Sequence, residues 1–228
     1  MPGFFYSHEI VNVMCCLHLI DQKGGIFKMR KFFTSESVTE GHPDKLCDLI
    51  SDSLLDAYLA KDNKSRVAIE SVASKGKVFI TGEVTSNAKY TNEELEKIVR
   101  DTIKGIGYFG DTDIDYKTCE IEIHISAQSQ DIALGVDKSL EDKEGKGASS
   151  EGAGDQGLMF GYACDETPEF MPCAIMYAHK LAKELTNARK TGVIKDIGPD
   201  GKTQVTVEYE DRKVKRIDTI VVSTEHRD

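Results

Sequence analysis

A helical pattern followed by two strand patterns occurs twice along the chain, and this repeat constrains the fold more than any other feature. In the first copy, apolar residues recur at helical spacing from Pro43 to about Ala60, and two β-rich runs then flank Lys75-Gly76, a pair typical of a tight hairpin. In the second copy, a helix opening at Met171-Pro172 precedes two β-rich runs around residues 210–212. The repeat predicts an α+β fold of two similar units, each with helices on one face of a mainly antiparallel sheet.

A segment rich in Gly, Ser, Lys, Asp and Glu, residues 128–151, lies between the two units and predicts a mobile loop or linker. We therefore divide the remaining chain into an N-terminal α+β domain, residues 29–127, and a central α+β domain, residues 152–228, which we expect to be incomplete.

Residues 1–28 lack the basic start and the cleavage site of a signal peptide. We interpret them as a non-native or unstructured leader, with translation starting at Met29; a genuine N-terminal extension is the alternative.

Charge and composition exclude several classes of function. The 29 basic and 39 acidic residues give a net charge of −10, which argues against a nucleic-acid partner because such binding depends on Lys and Arg neutralising phosphates. No apolar run reaches the roughly 20 residues that span a bilayer. The six cysteines form no CxxC pair, so neither a zinc site nor a disulfide framework is indicated. We expect a cytoplasmic protein with no membrane partner.

Two glycine motifs suggest nucleotide-binding folds, and their surroundings argue against both. The run Gly152–Gly157 matches GxGxxG, but it follows a Gly/Ser-rich stretch instead of the buried strand that a dinucleotide-binding fold requires. Gly201-Lys202-Thr203 resembles the end of a P-loop, yet Asp196 occupies the position of the required glycine. Neither a Rossmann dehydrogenase nor a Walker site is indicated.

His42 precedes the first predicted helix, and Asp44 and Lys45 lie in its first turn. Exposed helix amides and a lysine attract phosphate, whereas Asp44 repels it, and a Mg²⁺ ion shared between Asp44 and a nucleotide would resolve the conflict. The alternative is structural: His42 caps the helix and Asp44 complements its dipole.

The proposed hairpin turn at Lys75-Gly76 places Glu70 opposite Thr81, and Ala68 opposite Glu83. Glu70 and Glu83 are then diagonal neighbours on one face, roughly 7–8 Å apart. Two such carboxylates favour cationic partners, for which a monovalent metal ion and a substrate ammonium both qualify. Two solvated surface carboxylates remain the alternative.

Two long motifs, FTSESVTEGHPDK (Phe33–Lys45) and GAGDQGLMFGY (Gly152–Tyr162), resemble the opening and central motifs of S-adenosylmethionine synthetases. The similarity runs in consistent order from about Arg30 to the last residue. It implies a methionine adenosyltransferase, in which the sulfur of L-methionine attacks C5′ of ATP and the triphosphate leaves as phosphate and diphosphate.

The resemblance also implies Mg²⁺, two ions per complete active site, and K⁺ as cofactors. It assigns roles by matching motif positions: ATP binding by His42, Lys45, Asp200, Gly201 and Lys202, of which His42 and Lys202 are catalytic; methionine binding by Glu83, Gln128 and Asp155; Mg²⁺ binding by Asp44 and Glu36; and K⁺ binding by Glu70.

The family has three related α+β units around a pseudo-threefold axis and works as a homodimer or dimer of dimers with shared active sites. We therefore expect this chain to stop before the C-terminal domain and to be an inactive fragment by itself. A non-catalytic ATP-binding or assembly module is the alternative function.

We also expect an apolar sheet face around Val205, Val207 and Tyr209, or their opposite neighbours, to lack a covering helix.

Overall fold

A computed structural model describes residues 29–110, 112, 114–129, 143–145 and 157–226. The predicted leader and most of the predicted loop lie outside the described residues. The helices and strands follow in this order: β1 (Arg30–Val38), α1 (Pro43–Lys61), β2 (Arg66–Ser74), β3 (Lys77–Thr85), α2 (Asn92–Ile106), β4 (Glu120–Ala127), α3 (Cys173–Lys190), β5 (Ile197–Glu210) and β6 (Lys213–His226). The α+β prediction is confirmed.

The first sheet has the strand order β2-β3-β4. The hairpin prediction for β2 and β3 is confirmed, since Glu70 lies opposite Thr81 and Ala68 opposite Glu83. However, β4 runs parallel to β3, so this sheet is mixed, although the strand pairings of the two sheets are mainly antiparallel as expected. The chain returns to the same end of the sheet through α2, and a crossover of that kind produces parallel strands.

Helices α1 and α2 pack on one face of this sheet because each carries an apolar stripe. Leu46, Ile50 and Leu54 of α1 are fully buried and join the core formed by α2 and the inner face of the sheet. The sequence Thr91-Asn92-Glu93-Glu94 has the form of a capping box, and the box is present at the start of α2: Thr91 and Glu94 satisfy each other's backbone N–H groups. Among the described residues, no helix has the length and hydropathy needed to cross a membrane.

The second sheet has the order β1-β5-β6, with both pairings antiparallel. Strand β1 was not predicted, and it lies within the segment assigned to the N-terminal domain. Its ladder with β5 runs from Arg30 opposite Glu210 to Val38 opposite Lys202. The segment 29–127 therefore holds the whole first sheet but also contributes β1 to the second sheet, and the domain boundaries remain a prediction.

The expectation of an uncovered face is wrong at Val205 and Val207, but it holds for the residues opposite them on β6. Both side chains are fully buried beneath α3, where they pack with Ala174 and Ala178, and Tyr209 is partly buried at the edge of this cluster. The exposed apolar side chains of the second sheet lie on its two edge strands: Phe32 and Phe33 on β1, and Val214, Ile217, Ile220, Val221 and Val222 on β6.

The turn Thr39–His42 joins the second sheet to α1 and contacts the start of β5. The Thr39 N–H donates to the carbonyl of Gly201 at 2.9 Å, and its hydroxyl donates to the carbonyl of Pro199 at 2.8 Å. A Cβ atom at Gly41 would overlap the backbone of Pro199, so only glycine permits this approach.

We predict that Gly82→Ala destabilises the first sheet, because a Cβ at Gly82 would overlap the carbonyl oxygen of Ala68 and the backbone φ there is +156°. The free energy of unfolding should fall by about 1–3 kcal/mol. Gly105→Ala is the control, since nothing lies within 4 Å of the Cβ position and alanine favours the helix by about 0.5 kcal/mol. Urea unfolding measures the stability of both variants, and equal unfolding midpoints for the two would contradict the predicted overlap at Gly82.

Candidate functional site

An open pocket of about 230 Å³ lies where the N-terminus of α1 meets the start of β5 and the end of β6. Its lining residues come from three separate parts of the chain: His42, Asp200, Gly201, Lys202, Ser223, Thr224 and Glu225. We call it the His42 pocket. It brings together four of the five residues that the sequence assigned to ATP; the fifth, Lys45, does not line it.

The ladder between β1 and β5 explains why these distant residues meet. Its last pair is Val38 opposite Lys202, and β1 leads directly into the turn that ends at His42. The Lys45 ammonium donates to the carbonyl of Val38 at 3.2 Å, so Lys45 lies beside the pocket and braces the end of β1.

The ring of His42 caps α1, because its Nδ1 accepts the backbone N–H of Asp44 at 3.3 Å. An accepting Nδ1 carries no proton, and the neutral ring then has its proton on Nε2. The Asp44 carboxylate oxygen lies 3.8 Å from the same Nδ1, but a nitrogen that already accepts a hydrogen bond does not form an ion pair there. The capping interpretation is thus confirmed for Nδ1, while Nε2–H remains able to donate to a ligand.

Lys202 pairs with Glu36 across the two strands, with Nζ and Oε2 3.4 Å apart and each side chain about half exposed, at 48%. The residue assigned to phosphate and a residue assigned to Mg²⁺ therefore form an ion pair with each other. Asp44 is 90% exposed, so its carboxylate is open to a ligand from solvent. An exposed pair such as Lys202 and Glu36 contributes only about 0–1 kcal/mol and is easily exchanged for other partners.

Three lining residues, Ser223, Thr224 and Glu225, were not found from the sequence. The Glu225 carboxylate accepts the backbone N–H of Asp200 at 3.4 Å and lies against Gly198, where a Cβ would overlap it. Thr224 donates to the carbonyl of Asp200 at 3.3 Å. These contacts fix the backbone that leads into Lys202. The hairpin turn could have pointed to this strand, but irregularities in the pairing shift its register.

A second group of predicted residues lies on the face of the first sheet that points away from α1 and α2, which we call the outer face. It carries Glu70, Glu83 and, just beyond β4, Gln128, whose Oε1 accepts the hydroxyl of Thr85 at 3.1 Å. None of these residues lines the His42 pocket. The remaining candidate, Asp155, lies outside the described residues.

Charges on the outer face are balanced only in part. Lys77 contacts Glu122 and lies 3.5 Å from Glu120; its hydrogen bond lowers the pKa of the Glu122 carboxyl and raises that of the Lys77 ammonium. Within the described part of the chain, neither Glu70 nor Glu83 forms an ion pair. Among the residues that the structure describes, the two predicted cation ligands therefore have no cationic side chain as a partner.

Comparison with known proteins identifies the family. Residues 30–130 match the model of the S-adenosylmethionine synthetase N-terminal domain, and residues 150–228 match that of the central domain. The chain belongs to the S-adenosylmethionine synthetase family. The S-adenosylmethionine synthase of Clostridium tetani (strain Massachusetts / E88) is 57% identical over 205 residues, which cover 87% of this chain and 51% of that protein. The chain spans about half the length of this curated relative.

The two family matches also indicate which domains contribute the residues that line the pocket. Strand β1 and His42 lie in the match to the synthetase N-terminal domain, whereas β5, β6 and Lys202 lie in the match to the synthetase central domain. The His42 pocket is therefore built between two domains of this family.

The capping role of His42 predicts how its substitution affects stability. His42→Asn should change the free energy of unfolding by less than about 0.5 kcal/mol, because asparagine is a good N-cap, whereas His42→Ala should cost about 1 kcal/mol. Thr91→Ala on α2 is the matched control and should cost a similar amount. Thermal unfolding of the three variants checks this, and an asparagine variant as unstable as the alanine variant would count against the cap.

Proposed function

We propose that this chain forms the N-terminal and central part of a methionine adenosyltransferase, which makes S-adenosylmethionine from ATP and L-methionine with release of phosphate and diphosphate. The observation that carries the proposal is the His42 pocket, which joins His42 with Asp200, Gly201 and Lys202 at a helix N-terminus in a chain of this family. Because the chain spans about half of its curated relative, the activity, substrates and partners of the whole protein are all part of the proposal.

The pocket suits the departing triphosphate. When the methionine sulfur attacks C5′, negative charge develops on the leaving oxygen, and fixed donors at that position lower the barrier. Lys202 supplies a positive charge, Nε2–H of His42 supplies a donor, and the N-terminus of α1 supplies a favourable dipole. Asp200 and Gly201 would contact ATP through the backbone that leads to Lys202, and Lys45 would add positive charge nearby.

The carboxylates near the pocket fit Mg²⁺. Asp44 and Glu36 offer the hard oxygen ligands that Mg²⁺ prefers, and both are accessible to solvent. No group of three metal-binding side chains occurs among the described residues, so phosphate oxygens would supply further ligands, as is usual for Mg²⁺ with nucleotides. Bound Mg²⁺ neutralises charge on the phosphates. We propose two such ions in each complete active site.

The outer face fits the other substrate. Glu83 and Gln128 would bind the ammonium and a polar group of methionine, and Glu70 would bind K⁺; Asp155 remains a predicted methionine ligand. These side chains and the His42 pocket lie on different surfaces of one chain, which favours an active site completed by a second copy. We therefore propose a homodimer or dimer of dimers in the cytoplasm.

The test is the methionine-dependent release of phosphate and diphosphate from ATP by the complete enzyme. S-adenosylmethionine formed in proportion to the diphosphate supports the proposal. ATP binding without methionine-dependent turnover would instead indicate a non-catalytic binding or assembly module.

We predict that Asp44→Asn in the complete enzyme lowers turnover by several powers of ten, because the lost charge would bind Mg²⁺. Stability should change by less than about 0.5 kcal/mol, since the side chain is exposed. Asp48→Asn, on the solvated side of α1, is the control and should have normal activity. A nearly normal rate for Asp44→Asn would show that the residue serves only the helix dipole.

We also predict that Glu36→Gln changes triphosphate binding in opposite directions with and without Mg²⁺. Without metal, the substitution releases Lys202 and removes a negative charge, so binding should tighten several-fold, in line with a pair that contributes up to about 1 kcal/mol. With Mg²⁺, a metal ligand is lost and binding should weaken. Calorimetric titration with tripolyphosphate measures both, and a change of the same sign in both conditions would contradict a metal role for Glu36.

A further inference from the structure

Glu40 lies in the motif Phe33–Lys45, yet neither the pocket nor the outer face uses it. Both of its carboxylate oxygens are occupied: Oε1 accepts from Nη2 of Arg189 at 2.6 Å, and Oε2 accepts from Nζ of Lys190 at 2.7 Å. The side chain of Arg189 is only 14% exposed, so this pair is shielded from water more than Lys202 and Glu36 are. Glu40 therefore ties the turn before α1 to the end of α3.

Arg189 also contacts the end of α2. The same Nη2 donates to the carbonyl of Ile106 at 2.8 Å, and a Cβ at Gly107 would lie 2.6 Å from Nη1. Gly107 is the left-handed C-cap of α2, so the guanidinium lies where the helix dipole favours a cation. One planar side chain thus joins α3, the turn and the end of α2, which a flexible ammonium does not reproduce.

Gly41, which follows Glu40 in the turn, also contacts two other parts of the chain. It packs on Pro199 of β5, and its carbonyl accepts the hydroxyl of Tyr108, which follows α2. The turn is thereby fixed between the parts of the chain that carry His42 and Lys202. His42 follows this turn directly, so the position of its ring relative to Lys202 depends on how these contacts hold the turn.

We propose that Glu40 and Arg189 are positioning residues that set His42 against Lys202 and so determine how tightly the pocket holds a triphosphate chain. This inference rests on the proposed function. Lys202 comes from β5 and His42 from the start of α1, so a looser turn lets the two donors move apart. Donors held in place before the ligand arrives bind more tightly than donors that must first be ordered.

The experiment uses the complete enzyme with three substitutions. Arg189→Lys keeps the charge but removes the planar group that bonds Glu40 and Ile106 together. Glu40→Gln keeps the size and weakens the ionic contact, and it provides a second test if the Arg189 variant folds poorly. Lys190→Gln is the matched control, because Lys190 touches the same carboxylate but is 46% exposed.

Two readouts separate positioning from simple stabilisation: the affinity for tripolyphosphate measured by calorimetry without methionine, and the NMR chemical shifts of the His42 imidazole. We expect Arg189→Lys and Glu40→Gln to weaken tripolyphosphate binding by about 10-fold, the equivalent of one lost charged hydrogen bond, and to shift the His42 signals. Lys190→Gln should change the affinity less than about 2-fold.

The outcomes distinguish the inference from the function on which it rests. If the unmodified enzyme binds tripolyphosphate and both variants bind it equally well with unchanged His42 signals, the positioning role is overturned, even if their melting temperatures fall. If the unmodified enzyme does not bind tripolyphosphate, the proposed function fails and the inference fails with it.

Discussion

The hydrogen-bond ladder between β1 and β5 is the interaction on which the rest of the structure depends. It joins a strand from the first domain match to a strand from the second, and it ends at Val38 opposite Lys202. Because the chain then turns directly into α1, the end of this ladder determines where His42 lies. A change of one residue in the register would turn Lys202 to the other face of the sheet and so remove it from the pocket.

The motif Phe33–Lys45, which covers most of β1 and the turn after it, contains two kinds of residue. Glu36, His42 and Asp44 present side chains to solvent or to the pocket, whereas Glu40 and Gly41 hold the backbone between the two parts of the chain. This division explains the motif in physical terms. Glu36, His42 and Asp44 are exposed or only partly buried, whereas both carboxylate oxygens of Glu40 have partners and the backbone of Pro199 leaves no room for a Cβ at Gly41.

The two candidate sites differ in electrostatic character. The His42 pocket combines groups that favour an anion, namely Lys202, the Nε2–H of His42 and a helix N-terminus, with the carboxylates of Asp200 and Glu225, which favour a cation. The outer face contains Glu70 and Glu83 without protein cations among the described residues, which favours a positively charged ligand. The proposed reaction between a polyphosphate and an amino acid would use both kinds of surface, and they lie apart on the chain. This separation is the reason for proposing a second copy that brings its own outer face to the pocket.

The sequence by itself determined what depends on neighbouring residues: the helices, the Thr91 capping box, the β2–β3 register and the family. These follow from spacing and from turn and cap chemistry, which act within a few residues. Tertiary structure decided the partner of β1, the parallel pairing of β4 and the strand residues that complete the pocket. Irregular pairing between β5 and β6 moves Ser223 opposite Lys202, although the turn alone would place Val221 there. Long-range strand pairing is selected by the sum of many contacts across the sheet, including the burial of Val205 and Val207 under α3, and no local pattern in the sequence records that sum.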